Sequence, residues 1–163
     1  PVSMLMAGDS TSLNLALEGD DENDGFLAIA DNYKITKTAN TANYYAGLCY
    51  LKLGQKEEAL EYLKKFKKKE DVLWYTCQTL IGDLYDDQGN EAEAIKYYEK
   101  AIKGNDPYNT PMALFKLGQM YERQDNWSKA YDAYQQIEDN FYAEYNKMSI
   151  AQYKERAKSK SSK

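Results

Sequence analysis

The side chains that could do chemistry in this sequence are carboxylates, hydroxyls and two thiols, because it contains no histidine. Ser-His-Asp and Cys-His nucleophile systems, histidine metal sites and imidazole acid-base steps therefore fall away together. A carboxylate enzyme would need two facing acids in a closed cleft, one of them with a raised pKa. The adjacent Asp86 and Asp87 fit a solvated helix end better. Asp20, Glu22 and Asp24 followed by Gly25 mimic the start of a calcium loop. The twelfth position would be Asp31, where a bidentate Glu is required, and Phe26 onward reads as a helix that draws Asp31 away. The stretch is expected to be an acidic interhelix loop. Cys49 and Cys77 lie in apolar helical stretches without zinc spacing and read as buried thiols. Neither GxGxxG nor GxxxxGK[ST] occurs. The expectation is no catalytic residue, no metal and no cofactor.

These residues sit in a chain of 163 residues, a length that suits one domain, with 43% hydrophobic and 29% charged residues. There is no run of about 18 apolar residues that could cross a bilayer. The net charge of −5 disfavours a nucleic-acid backbone as partner. The best basic cluster, Lys64 to Glu70, reads as the solvated end of a helix, where lysine complements the macrodipole. The chain begins at Pro1 without an initiator Met, which is compatible with a trimmed or processed form.

One phrase recurs. Gly47, Gly82 and Gly118 are 35 and 36 residues apart. Each is followed after three residues by Tyr50, Tyr85 or Tyr121, and after twelve by Ala59, Ala94 or Ala130. Four residues further stand Leu63, Tyr98 and Tyr134. A period in the mid-thirties with small and large apolar residues in fixed register is that of a helix-turn-helix repeat. Gly and Ala let two helices approach, and the facing large residue fills the space around them. Gly54 and Gly89 are expected to end first helices in a left-handed turn, with Asp125 in that place in the third repeat. Asn90, with Glu93 three residues on, reads as a capping box; Asn126 is its equivalent and Gln55 a poorer cap. Thr110 followed by Pro111 reads as an N-cap and first helical position. Helices are predicted near 41–53, 56–69, 73–87, 91–103, 111–123 and 127–139, with no strand.

At the ends, 1–10 is expected to be a flexible start and 11–39 a divergent helical pair, about 11–18 and 25–34. Repeats follow at about 40–74, 75–110 and 111–142. A capping helix over 143–157, with Tyr145, Met148, Ile150 and Tyr153 on its apolar side, should cover the last repeat, leaving 158–163 disordered.

The stretches "YYAGLCYLKLGQKEEALEYL", "TLIGDLYDDQGNEAEAIKYYEKAI" and "LFKLGQMYERQDNWSKAYDAYQQI" resemble the tetratricopeptide repeat family from about Asn40 to Tyr142. The resemblance implies an all-α fold, a right-handed superhelix whose first helices line a concave face. The family's inward positions fall on Thr41, Tyr44, Leu48 and Leu51, then Thr76, Thr79, Asp83 and Asp86, then Met112, Phe115, Gln119 and Glu122. That groove would be apolar at one end and acidic in the middle, suited to a peptide or protein segment with apolar anchors and some Lys or Arg. It lacks the Lys and Asn pattern of members that clamp a C-terminal carboxylate. Tyr44, Leu48 and Leu51 could instead pack against the N-terminal helices, since terminal repeats must hide a flank.

The run from Gly25 to Phe66 is also similar to bacterial envelope members of the family, and its Thr36 to Gly47 junction resembles one that recurs in the membrane-anchored ancillary subunit of the secretion translocon. This implies a chaperone-like or assembly scaffold at the cell envelope, facing the periplasm and tethered by an anchor ahead of Pro1; a cytoplasmic location is the alternative. The expected function is protein interaction without catalysis, and the alternative is a self-associating structural module, a homo-oligomer without a peptide groove.

Overall fold

The structure, a computed structural model, describes residues 2–32, 36–67 and 72–161. The expected helix ends at 34 and 69, the basic residues from Lys68, and the last two residues lie outside these. The chain forms two compact units, Pro1–Glu70 and Asp71–Lys163.

The first unit holds α1 (Val2–Ala7), α2 (Ser10–Glu18), α3 (Phe26–Asn32), α4 (Lys37–Lys52) and α5 (Lys56–Lys65). The flexible start is replaced by α1 and by an Asp9 cap, whose carboxylate accepts from the Ser12 N–H at 2.9 Å to open α2. Leu13, Ala16 and Leu17 recur at helical spacing and meet Phe26, Ala42, Ala46 and Cys49 in one core. α4 opens four residues before the predicted 41, because the Thr36 hydroxyl accepts from the Ala39 N–H at 3.2 Å. Between α2 and α3, Asp20 Oδ1 accepts from the N–H groups of Glu22 and Asn23 at 2.9 and 2.8 Å. The would-be calcium carboxylate thus closes its own turn.

The second unit holds α6 (Val72–Asp87), α7 (Glu91–Ala101), a 3₁₀ turn (Ile102–Gly104), α8 (Asn109–Arg123), α9 (Trp127–Asn140), α10 (Tyr142–Lys147) and α11 (Ala151–Ser161). α6 with α7, and α8 with α9, are the expected hairpins, as α4 with α5 is in the first unit. The repeat register explains their closeness. A Cβ added to Gly82 would lie 2.6 Å from the Tyr98 ring, and one on Gly118 would lie 2.3 Å from Tyr134. Leu63 takes the same place against Gly47. Burying such a side chain contributes roughly 1.5–3 kcal/mol. Each first helix closes identically: Gly54, Gly89 and Asp125 have positive φ, and the next N–H returns to the carbonyl of Tyr50, Tyr85 or Tyr121 at 2.8–2.9 Å.

Two starts differ from the reading. Thr110 is not the N-cap of α8; it is buried one residue inside. Asp106 supplies the cap, its Oδ1 accepting from Tyr108 and Asn109 N–H at 3.0 and 2.7 Å. Pro107 is thus the pre-formed first residue after the cap, the role expected of Pro111. At the other end, the single expected capping helix is two. α10 ends in the same turn as the repeats, with Ser149 at φ 54° and Ile150 N–H bonded to the Tyr145 carbonyl. α11 then runs through Ser161, past the expected end at 157.

Candidate functional site: the first-helix face

In the first unit, the expected groove residues are mostly used for packing. Tyr44 is only 5% exposed and lies against Tyr45 and Phe66, ring centroids 5.5 Å apart in each case. Leu48 is half-buried on the core that α2 and α3 complete. Thr41 lines an apolar cavity of about 360 Å³ with Phe26, Ile29, Ala42 and Tyr45. The N-terminal helices therefore cover this flank, as a terminal repeat requires.

In the second unit, α6 and α8 run side by side in the same direction. Thr79 Oγ1 lies 2.8 Å from Asn109 Oδ1 and is buried. Further along, Lys116 donates to Asp83 Oδ1 at 2.6 Å, and Arg123 pairs with Asp86. Asp83 Oδ1 also accepts from the Tyr98 hydroxyl at 2.7 Å. The arrangement repeats one step on. Glu122 accepts from the Tyr134 hydroxyl at 3.2 Å and is gripped by Arg156 of α11 through Nε and Nη2, at 3.3 and 2.5 Å. Asp83 and Glu122 are thus each held by a tyrosine from the following helix and a cation from a later one, while Asp86 is held by Arg123 of α8. Burial, and then the bond to Asp83, pushes the Tyr98 phenol far above its ordinary value of 10.0. Burial followed by the Glu122 charge does the same to Tyr134.

The acidic middle expected of the groove is therefore neutralised from within. Lys116, Arg123, Arg156 and the two tyrosine hydroxyls were missed as partners. Their signal was the repeat period itself: the cations follow their acids by 33, 37 and 34 residues, close to one repeat. What stays on the face without a charge is Met112, 43% exposed, with half-buried Thr76, Phe115 and Gln119. Phe115 meets Tyr153 of α11 edge-on, with centroids 4.9 Å apart. Among the described residues no cluster of His, Cys, Asp and Glu could hold a metal, and no helix is long and apolar enough to cross a membrane. Cys49 and Cys77 are buried outside any disulfide; burial pushes their thiols up to about 11 and about 12.

Two models described as tetratricopeptide repeat match residues 41–70 and 79–143, together more than half of the sequence. The chain belongs to the tetratricopeptide repeat family. A TPR repeat-containing protein of Methanocaldococcus jannaschii is 36% identical over 112 residues, covering 68% of this chain and 19% of the relative. Tetratricopeptide repeat protein 29 of Macaca fascicularis is 30% identical over 112 residues, covering 63% and 24%. The chain thus spans about a fifth to a quarter of the length of these curated relatives. The crystal structure of MamA has a TM-score of 0.57 at 20% identity, with 84% of this chain and 86% of that one covered. Nearly identical TPR-like repeats of Podosopora anserina kinesin-light-chain type reach 0.63 at 14%, covering 98% and 90%. At these identities the likeness is one of fold, an all-α repeat solenoid. The narrower resemblance to bacterial envelope proteins, drawn from Gly25 to Phe66, gains no support from these matches.

Proposed function

We propose that the protein is a non-catalytic interaction scaffold that holds a segment of a partner protein on the α6–α8 face of its second unit. The observation that carries this is the composition of the face once its ion pairs are removed from it. Met112 is exposed and Thr76, Phe115 and Gln119 are half-buried, on two helices that Asp83–Lys116 and Asp86–Arg123 fix in register. A rigid floor with an apolar anchor point and hydrogen-bonding neighbours suits an extended or helical segment, read by side-chain fit rather than by charge. Asp83, Asp86 and Glu122 act in this reading as struts. Their oxygens already hold cations, so they supply neither a general acid nor a strong attraction for a basic peptide.

The test is a comparison of partners recovered from the source cells by wild type and by a Met112→Glu, Gln119→Glu double variant. The reading expects at least one partner to be lost while thermal stability is kept. Retention of every partner by the folded variant contradicts it.

A further inference from the structure

α11 is attached differently from every repeat helix of the second unit. It buries one residue, Ala157, whereas α8 buries seven and α9 four. It lies along α9, where Tyr153 also packs at a tilt on the Tyr134 ring, centroids 5.9 Å apart, and its other side-chain contacts are polar or at ring edges. Arg156 grips Glu122 of α8, Lys154 pairs with Glu138 of α9, Lys160 lies 4.5 Å above the Trp127 ring, and Tyr153 meets Phe115. Two of the residues so covered, Phe115 and Glu122, belong to the face on which the partner is placed above. They lie two turns apart on one side of α8.

We propose that the surface of α8 and α9 under α11 is a docking surface for an amphipathic partner helix bearing an aromatic residue, an arginine three positions later and a small residue next to it. α11, with Tyr153, Arg156 and Ala157, is the built-in occupant that such a helix displaces. The inference rests on the proposed function and names the chemistry of the partner. The contacts specify each element of the pattern. The Phe115 ring takes an aromatic edge, as Tyr153 shows. The Glu122 carboxylate takes a guanidinium through two parallel bonds, which a lysine could not reproduce. Ala157 is fully buried, so only a small side chain lets the helix come that close. The tether is short: Ile150 and Tyr145 stay buried in the repeat core, and α11 follows from the turn at Ser149. An occupant on such a tether competes at high local concentration, so the free face is a minor state until a better helix arrives.

The probe is a fluorescein-labelled peptide of residues 148–161, titrated into the full chain. A Tyr153→Ala, Arg156→Glu variant weakens the internal occupant and is expected to bind the peptide at least about tenfold tighter than wild type does. The peptide carrying the same two changes should not bind. Equal binding by wild type and a folded variant overturns the proposal, leaving α11 as a fixed cap. Should the variant unfold, hydrogen exchange of wild type decides. Amides of 151–161 opening ahead of α8 and α9, and faster in salt, support displacement; opening only together with them overturns it. A wild-type dimer that the peptide dissociates would assign the face to a second copy, and the partner assignment would fall. The peptide result does not depend on recovering a cellular partner. A partner lost on Met112→Glu together with a peptide that never binds would sink this proposal and leave the scaffold reading intact.

Discussion

Tyr98 and Tyr134 each have two contacts that matter. Their rings fill the space against Gly82 and Gly118, and their hydroxyls fix Asp83 and Glu122 for the neighbouring cations. The ring contact leaves no room for a methyl group. Gly118→Ala is therefore expected to cost about 1–3 kcal/mol by overpacking, read from chemical denaturation; a neutral result would show that Tyr134 can move aside. The hydroxyl contact has a pH signature. Both phenols titrate above their ordinary 10.0 in the folded state, so the folded chain keeps protons that the unfolded chain releases. Their contribution is complete below pH 10 and is lost as pH rises beyond it. Thermal unfolding should occur at lower temperature at pH 11 than at pH 9, and Tyr98→Phe with Tyr134→Phe should flatten that slope. An unchanged slope in the double variant would rule these two hydroxyls out as its source. The sequence showed the rings, because they recur at a fixed distance from a glycine. It hid the ion pairs, because Asp83 and Lys116 are brought together only when one repeat stacks on the next.

At the scale of elements, the three repeat hairpins use one turn with unequal second-helix caps. Asn90 and Asn126 accept from the N–H of Glu93 and Lys129, each at 3.3 Å. Gln55, at nearly the same backbone angles, makes no side-chain cap bond, since its extra methylene carries the amide too far. Gln55→Asn should stabilise the first unit by about 0.5–1 kcal/mol, measured as a raised midpoint in urea. A loss of stability would mean that the cap geometry there is not that of Asn90. Helix starts were legible where Asn preceded an acidic or apolar run. They were misread at α4 and α8, where Thr36 and Asp106 cap from outside the repeat pattern. The split of the last segment into α10 and α11 was hidden for a related reason. Its left-handed residue is Ser149, whereas Gly marks that place in the first two repeats.

For the whole molecule, family membership accounts for the architecture and leaves specificity to the faces. The repeat positions determine how helices pack, and these were read directly from a period of 35 to 36 residues. The groove was less legible. In the first unit Tyr44 and Leu48 serve the core that the N-terminal helices complete, and those helices lack the repeat signature. In the second unit the acids became struts, and the uncharged residues between them became the candidate contact surface. The account therefore rests on the α6–α8 face meeting a protein partner. A photo-crosslinking side chain placed at Met112, and separately at exposed Lys96 on α7, tests this most directly in the cells of origin. The account predicts one discrete crosslinked partner from position 112 that is absent from position 96. The same products from both positions, or none from position 112, would contradict it.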